Sequence, residues 1–153
     1  MPSERAGSAG ALLLLGPAAL LAGAYGFQYL GGLAPCEMCW WQRYALMVAL
    51  ALAALGWVLG RNRALFVLAA LAVLANAGIG VFHAGVEQHW WEGITACAAA
   101  PAGGSNADVM ASILAQPLVR CDAIPWSLFG LSMAGWNALI STLIGGLALW
   151  RLK

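Results

Sequence analysis

The sequence predicts an all-α membrane protein, a bundle of four transmembrane helices with a short amphipathic surface helix in its second outward loop. Three observations carry this. Of 153 residues, 63% are hydrophobic and only 8% charged, against about 25% charged in a soluble domain. Mean hydropathy is +0.82. Four apolar runs each approach the roughly 20 residues that a helix needs to cross the hydrocarbon core. The length leaves room for one domain covering 1–153.

The runs are about 11–30, 41–59, 64–86 and 126–150. Pro17 lies inside the first, which membrane helices tolerate better than soluble ones. Ala22-Gly23-Ala24 resembles a signal-peptide cleavage site, but the apolar stretch continues past it and is longer than a signal core. Small residues recur in all four runs (Gly23, Gly56, Gly80 and Gly145 among them) and let helices approach closely in lipid. Asn76 and Asn137 sit mid-span, where interhelical hydrogen bonding is expected. Trp40, Trp41, Trp90, Trp91 and Trp126 cluster at the outer ends of the spans as an aromatic belt.

Basic residues favour cytoplasmic segments. Arg5, Arg61, Arg63, Arg151 and Lys153 mark both termini and the turn after the second span. The loops at about 31–40 and 87–125 hold acids and only Arg120 as a base, so they face outward. In a bacterium that places them in the periplasm and the chain in the inner membrane. In the longer loop, Pro101-Ala-Gly-Gly104 breaks the chain. Ser105 and Asp108 then suggest a capping box. Val109, Met110, Ile113 and Leu114 follow at helical spacing and Pro117 ends the pattern, which predicts the surface helix. Pro125 suits the first position of the fourth span.

All four cysteines, Cys36, Cys39, Cys97 and Cys121, fall on the outward side, where disulfides persist. Cys36 and Cys39 form a Cys-x-x-Cys pair, a recurring redox arrangement in which the thiolate reacts. Cys39 sits at or just before the start of the second span, so the helix dipole favours its thiolate. Arg43, one turn deeper on the same face, adds a fixed positive charge. Alternatives are a zinc site, poorly served because Cys97 and Cys121 make no second short-spaced pair, and inert structural disulfides. A loop closed by Cys97 and Cys121 would contribute about 3 kcal/mol. Thiol–disulfide exchange moves two electrons. With no flavin, dinucleotide or haem signature in the sequence, a lipid-soluble quinone is the acceptor left. A net charge of +1, without a basic cluster, speaks against nucleic acid. A transporter is disfavoured because no carboxylate lies mid-membrane.

Pro35-Cys36-Glu37-Met38-Cys39 followed by Gln42-Arg43, the separated Cys97 and Cys121, and the stretch from Cys121 through Trp126, Phe129-Gly130-Leu131 and Met133 to Trp136 carry a resemblance. The chain resembles the disulfide bond formation protein B (DsbB) family of bacterial inner-membrane thiol:quinone oxidoreductases. The resemblance implies redox disulfides Cys36–Cys39 and Cys97–Cys121. It also implies a periplasmic thioredoxin-like partner, a DsbA-like oxidase, that attacks through Cys97. Cys121 would then attack Cys36, and Cys39 would donate to ubiquinone or menaquinone in charge-transfer contact, with Arg43 at a quinone oxygen. His89 is a weaker candidate for binding quinone or handling protons, and His83 competes with it from deeper in the span. A vitamin K epoxide reductase-like protein is the nearest alternative, but that family places its loop cysteines before the Cys-x-x-Cys. A membrane scaffold with two inert disulfides is the alternative from another class.

Overall fold

The computed structural model describes residues 2–94, 105–115 and 119–153. Five helices are described: α1 (Pro2–Tyr29), α2 (Glu37–Val58), α3 (Arg63–Glu87), α4 (Asn106–Ala115) and α5 (Met133–Leu152). All but α4 are long and apolar enough to cross a membrane. A two-stranded antiparallel ribbon, β1 (Ser127–Leu128) and β2 (Leu131–Ser132), precedes α5. Helix α3 packs most extensively on α5 and α2, while α1 packs on α2 and α5 and touches α3 only lightly. The four long helices therefore form a closed ring with α1 and α3 on the diagonal.

Polarity is reversed relative to a soluble bundle. The outer surface carries Leu15, Val48, Leu68, Leu71, Val81 and Leu143, all exposed, as lipid contact requires. The interior holds small side chains, Ala49, Ala53, Ala69 and Ala70, around Leu13, Phe66 and Val73. Small residues bring the backbones together so that packing, with no help from hydrophobicity, holds the helices. Polar side chains are also interior. Asn76 Nδ2 donates to Asn137 Oδ1 at 3.2 Å and to Ser141 Oγ at 2.8 Å, joining α3 to α5 as the mid-span asparagines suggest.

Three of the helix starts have a local cause in side-chain capping. Asn62 caps α3 by accepting from Leu65 N at 3.2 Å, and Ser132 caps α5 by accepting from Gly135 N at 3.1 Å. Between α2 and α3 the chain reverses through Gly60 and Arg61, both at positive φ. Ser105 and Asp108 form the expected box at α4: Ser105 N donates to Asp108 Oδ2 at 3.0 Å and Asp108 N to Ser105 Oγ at 3.3 Å.

Three boundaries differ from the sequence expectation, the first being α1, which is helical from Pro2 instead of from about 11. The fourth span starts at Met133 instead of 126, and Pro125 is not its first residue. Phe129 and Gly130 both take positive φ, 53° and 78°, the geometry of a tight hairpin turn. The apolar run from 126 therefore begins as a ribbon and becomes helical only at the Ser132 cap. Helix α2 starts at Glu37 and not at 41, which moves both cysteines of the pair into its cap and first turn.

Candidate functional site: a thiol–imidazole cluster on an apolar cavity

Cys36 is the N-cap of α2. Its Sγ accepts from Cys39 N at 3.3 Å, so this sulfur occupies the place of a Ser or Asp oxygen. The three-residue spacing of the pair then brings the two sulfurs together on the first turn, 3.0 Å apart, with Cys36 Sγ donating to Cys39 Sγ. That donated hydrogen bond, with burial, holds the Cys36 thiol well above the ordinary thiol range. Cys39 Sγ is thus the acceptor of the Cys36 thiol in this arrangement.

Cys36 is 5% exposed and Cys121 is fully buried. Both belong to one buried cluster with Met38 and Val86, with Cys39 packed against it. The structure therefore brings Cys121 to the Cys-x-x-Cys pair although 82 positions separate Cys121 from Cys39 (121 − 39). Beside Cys121, Arg120 grips Asp122 at 2.8 Å and 2.5 Å on the exposed face and holds that carboxyl below the usual carboxylate range. Cys97 lies outside the described residues.

Arg43 is 5% exposed. Its Nη1 donates to Gln28 Oε1 at 2.5 Å and its Nη2 to Ala24 O at 3.1 Å. The guanidinium also lies over Tyr25 and Trp40, at 4.7 Å and 5.0 Å from the ring centroids, so α1 and α2 grip it from two sides. Charge buried in this way is costly unless it is both hydrogen-bonded and faced by π-electrons, and here it is both. It is fixed in place and does not snorkel to the lipid headgroups.

His83, on α3, joins the cluster from below. Its Nε2 is 3.5 Å from Cys36 Sγ and its Nδ1 2.9 Å from Gln42 Nε2. The ring also hydrogen-bonds the Cys121 backbone. One turn on, Glu87 Oε1 is 3.9 Å from His83 Nε2, and Ser132 hydrogen-bonds the same carboxyl. The two sulfurs and the imidazole lie within 4.8 Å of one another. Hydrogen bonds account for these contacts, so the group reads as thiols with an imidazole. His89, favoured from sequence, takes φ 58° in the turn after α3. Its Nδ1 is 3.2 Å from Val86 O, and it does not line the cavity described next.

The cluster forms one wall of a cavity of about 600 Å³ between α1, α2 and α5. Cys36, Cys39, Gln42, Arg43, His83 and Glu87 supply its polar wall, and Leu20, Gly23, Phe27, Leu46, Trp126 and Ile140 lie among its apolar lining. Phe27 and Trp126 meet with ring centroids 4.9 Å apart and close part of the outer side. An apolar chamber with a few convergent polar groups is what a flat, carbonyl-bearing ring requires. A buried carboxylate oxygen without a partner, Glu87 Oε2, marks unfilled hydrogen-bonding capacity at this wall, and the residues present fit a quinone head group.

Comparison with known proteins agrees over nearly the whole chain. The family described as "Disulfide bond formation protein DsbB" matches residues 6–151. A disulfide bond formation protein B of Verminephrobacter eiseniae is 36% identical, with 91% of this chain and 81% of the relative covered. Those of Aromatoleum aromaticum and Marinobacter nauticus are 34% and 31% identical. Coverage is 90% and 89% of the two chains in the first case, 87% and 83% in the second. No solved structure gives a significant match.

Proposed function

The chain belongs to the disulfide bond formation protein B family, and from that premise we propose that it is a quinone-coupled oxidase of a periplasmic protein thiol. As a member of that family it is a membrane-spanning, disulfide-forming oxidoreductase. The finer reading places it in the bacterial inner membrane with both termini cytoplasmic and the cysteines periplasmic. Its partner is a reduced thioredoxin-like, DsbA-like oxidase. The observation that carries this reading is one of position: Cys36, Cys39 and Cys121 meet at the end of an apolar cavity that also holds the charge of Arg43.

A quinone bound in the cavity supplies a two-electron, two-proton acceptor. The protein's own residues do the rest. The partner's thiolate attacks the Cys97–Cys121 disulfide and is held through Cys97. Cys121, buried against Cys36, attacks that sulfur, and Cys39 leaves as a thiolate at the cavity wall. Exchange through adjacent sulfurs needs only small displacements, and the helix N-terminus favours Cys39 as the leaving thiolate. Arg43, fixed by Gln28 and Ala24, stabilises negative charge gathering beside Cys39. Cys36 is 5% exposed and packs in one cluster with Cys121, so electrons reach it from Cys97 through Cys121.

The test is direct. Purified protein in detergent is mixed with a reduced DsbA-like oxidase and a soluble quinone, and quinone absorbance is followed. Catalytic loss of quinone, matched one to one by new partner disulfide, is the expected result. No turnover, with the cysteines locked in unreactive disulfides, would replace this reading with that of a structural membrane protein.

A further inference from the structure

A buried positive charge within a membrane span ordinarily has a carboxylate beside it. Arg43 has none: the ion pairs among the described residues are His83–Glu87 and Arg120–Asp122. What holds it is neutral. Gln28 Oε1 and Ala24 O accept from its two terminal nitrogens, and the rings of Tyr25 and Trp40 face its guanidinium. Each ring is backed by another one turn along its own helix. Tyr25 stacks on Tyr29 with centroids 6.1 Å apart and planes inclined by 11°, and Trp40 lies 5.9 Å from Tyr44. Two i, i+4 aromatic pairs, one on α1 and one on α2, therefore meet at the guanidinium, each touching it with one ring. Neither Tyr25 nor Trp40 lines the cavity, whereas Arg43 does.

The kind of partner decides what is left of the charge. A carboxylate at ion-pair distance would fix the arginine and also cancel most of its field a few ångströms away, because the pair then acts as a dipole. Ring faces and amide oxygens fix it and leave the net positive charge intact. Two hydrogen bonds also occupy only two of the five N–H groups that a guanidinium carries. We propose that Tyr25 and Trp40 are positioning residues for Arg43, a π-clamp that orients a buried cation without neutralising it. The full charge and the remaining N–H groups then stay available at the cavity wall. This inference rests on the cavity being the quinone site. Electrons that arrive there bring negative charge, and a fixed cation without a counter-ion stabilises that charge most. Because the two rings stand outside the cavity, they act through Arg43 alone.

The experiment compares substitutions at one position in the full-length protein in detergent. Tyr25→Phe keeps the ring face, Tyr25→Leu removes it, and Tyr25→Glu supplies the missing carboxylate. The first readout needs no turnover: phenylglyoxal, which modifies arginine, is added, and the peptide carrying Arg43 is followed by mass spectrometry. Wild type, Tyr25→Phe and Tyr25→Glu should be protected alike. Tyr25→Leu should label about tenfold faster, the factor that corresponds to one desolvated cation–π contact. Turnover with a soluble quinone then separates position from charge. Tyr25→Leu should raise KM about tenfold with kcat little changed. Tyr25→Glu should lower kcat about 100-fold although its arginine is held, and Tyr25→Phe should match wild type. Trp40→Phe, Trp40→Leu and Trp40→Glu run the same series from α2 and decide the matter if Tyr25→Glu does not fold. Unchanged labelling and KM in both leucine variants would overturn the clamp. Wild-type kcat in both glutamate variants would overturn the preserved charge. Either result leaves the quinone reading intact. Wild-type protein that protects Arg43 as expected yet is inert to quinone would overturn that reading, and with it the use proposed for the charge.

Discussion

Helix α1 meets two different environments along its length, and its glycines report them. A Cβ on Gly10 would lie 2.5 Å from Phe66 Cζ, and one on Gly16 would lie 2.6 Å from Ile144 Cδ1. A Cβ on Gly23 or Gly26 would meet nothing within 4 Å. The first half of the helix is pressed against α3 and α5 at the closed end of the bundle, where Leu13, Ala69 and Val73 leave no space. The second half stands back from its neighbours and bounds the cavity. One helix thus serves as packing at one end and as a chamber wall at the other. In lipid, where close packing supplies the cohesion, the tight end must hold the bundle so that the open end can stay open.

That comparison can be broken or sharpened by substitution. The largest effect belongs to the open end and is chemical: Cys39→Ser should reduce quinone turnover to background without lowering the thermal midpoint, and normal turnover would sink the mechanism. Next comes Phe66→Ala at the closed end, which should cost about 3–5 kcal/mol in denaturant titrations in detergent. The KM for quinone should stay unchanged in the protein that remains folded. A paired glycine test is sharper. Gly10→Ala should destabilise by about 1–3 kcal/mol through overpacking. Gly23→Phe should leave the midpoint in place yet raise the KM for quinone about tenfold, equivalent to about 1.4 kcal/mol of binding. Equal stability losses in both variants would show that the two halves of α1 are packed alike. The smallest effect is expected for Asn76→Ala, about 0.6 kcal/mol and at most about 1.7, measured by the same titration.

Much of this architecture was legible in the sequence because membrane spans are long and the bilayer allows few solutions. The capping box at Ser105 and Asp108 was legible for the same reason, since two side chains within three residues determine it. The start of α5 was not. Trp126 to Ser132 reads as apolar, and only the symmetric Ser-Leu around Phe129-Gly130 hints at a ribbon. In the site, Cys36, Cys39 and Arg43 were found by local spacing. His83 stands there only as a competitor to His89, since its contacts come from Gln42 and Cys36 on another helix and from Glu87 one turn on. A signal was nevertheless present. Asn76, Gly80, His83 and Glu87 recur at three- and four-residue steps in phase with Ala69 and Val73, and all six are buried. A polar stripe in phase with a packed face marks a functional interior, whereas His89 lies past the last helical turn.

The capping role of Cys36 has a consequence for the backbone. The sulfur that ties down the Cys39 amide is also one that changes bonding partner in the proposed cycle. A thiol, a mixed disulfide and an intramolecular disulfide accept that hydrogen bond with different strength. On that proposal the start of α2 should loosen and tighten as electrons pass, and deuterium uptake at the Cys39 amide should read the redox state of the pair. Gln42 and Arg43 ride on the same helix one turn later. A protein whose reactive atom is also a helix cap transmits its chemical state into its own framework with no messenger between them.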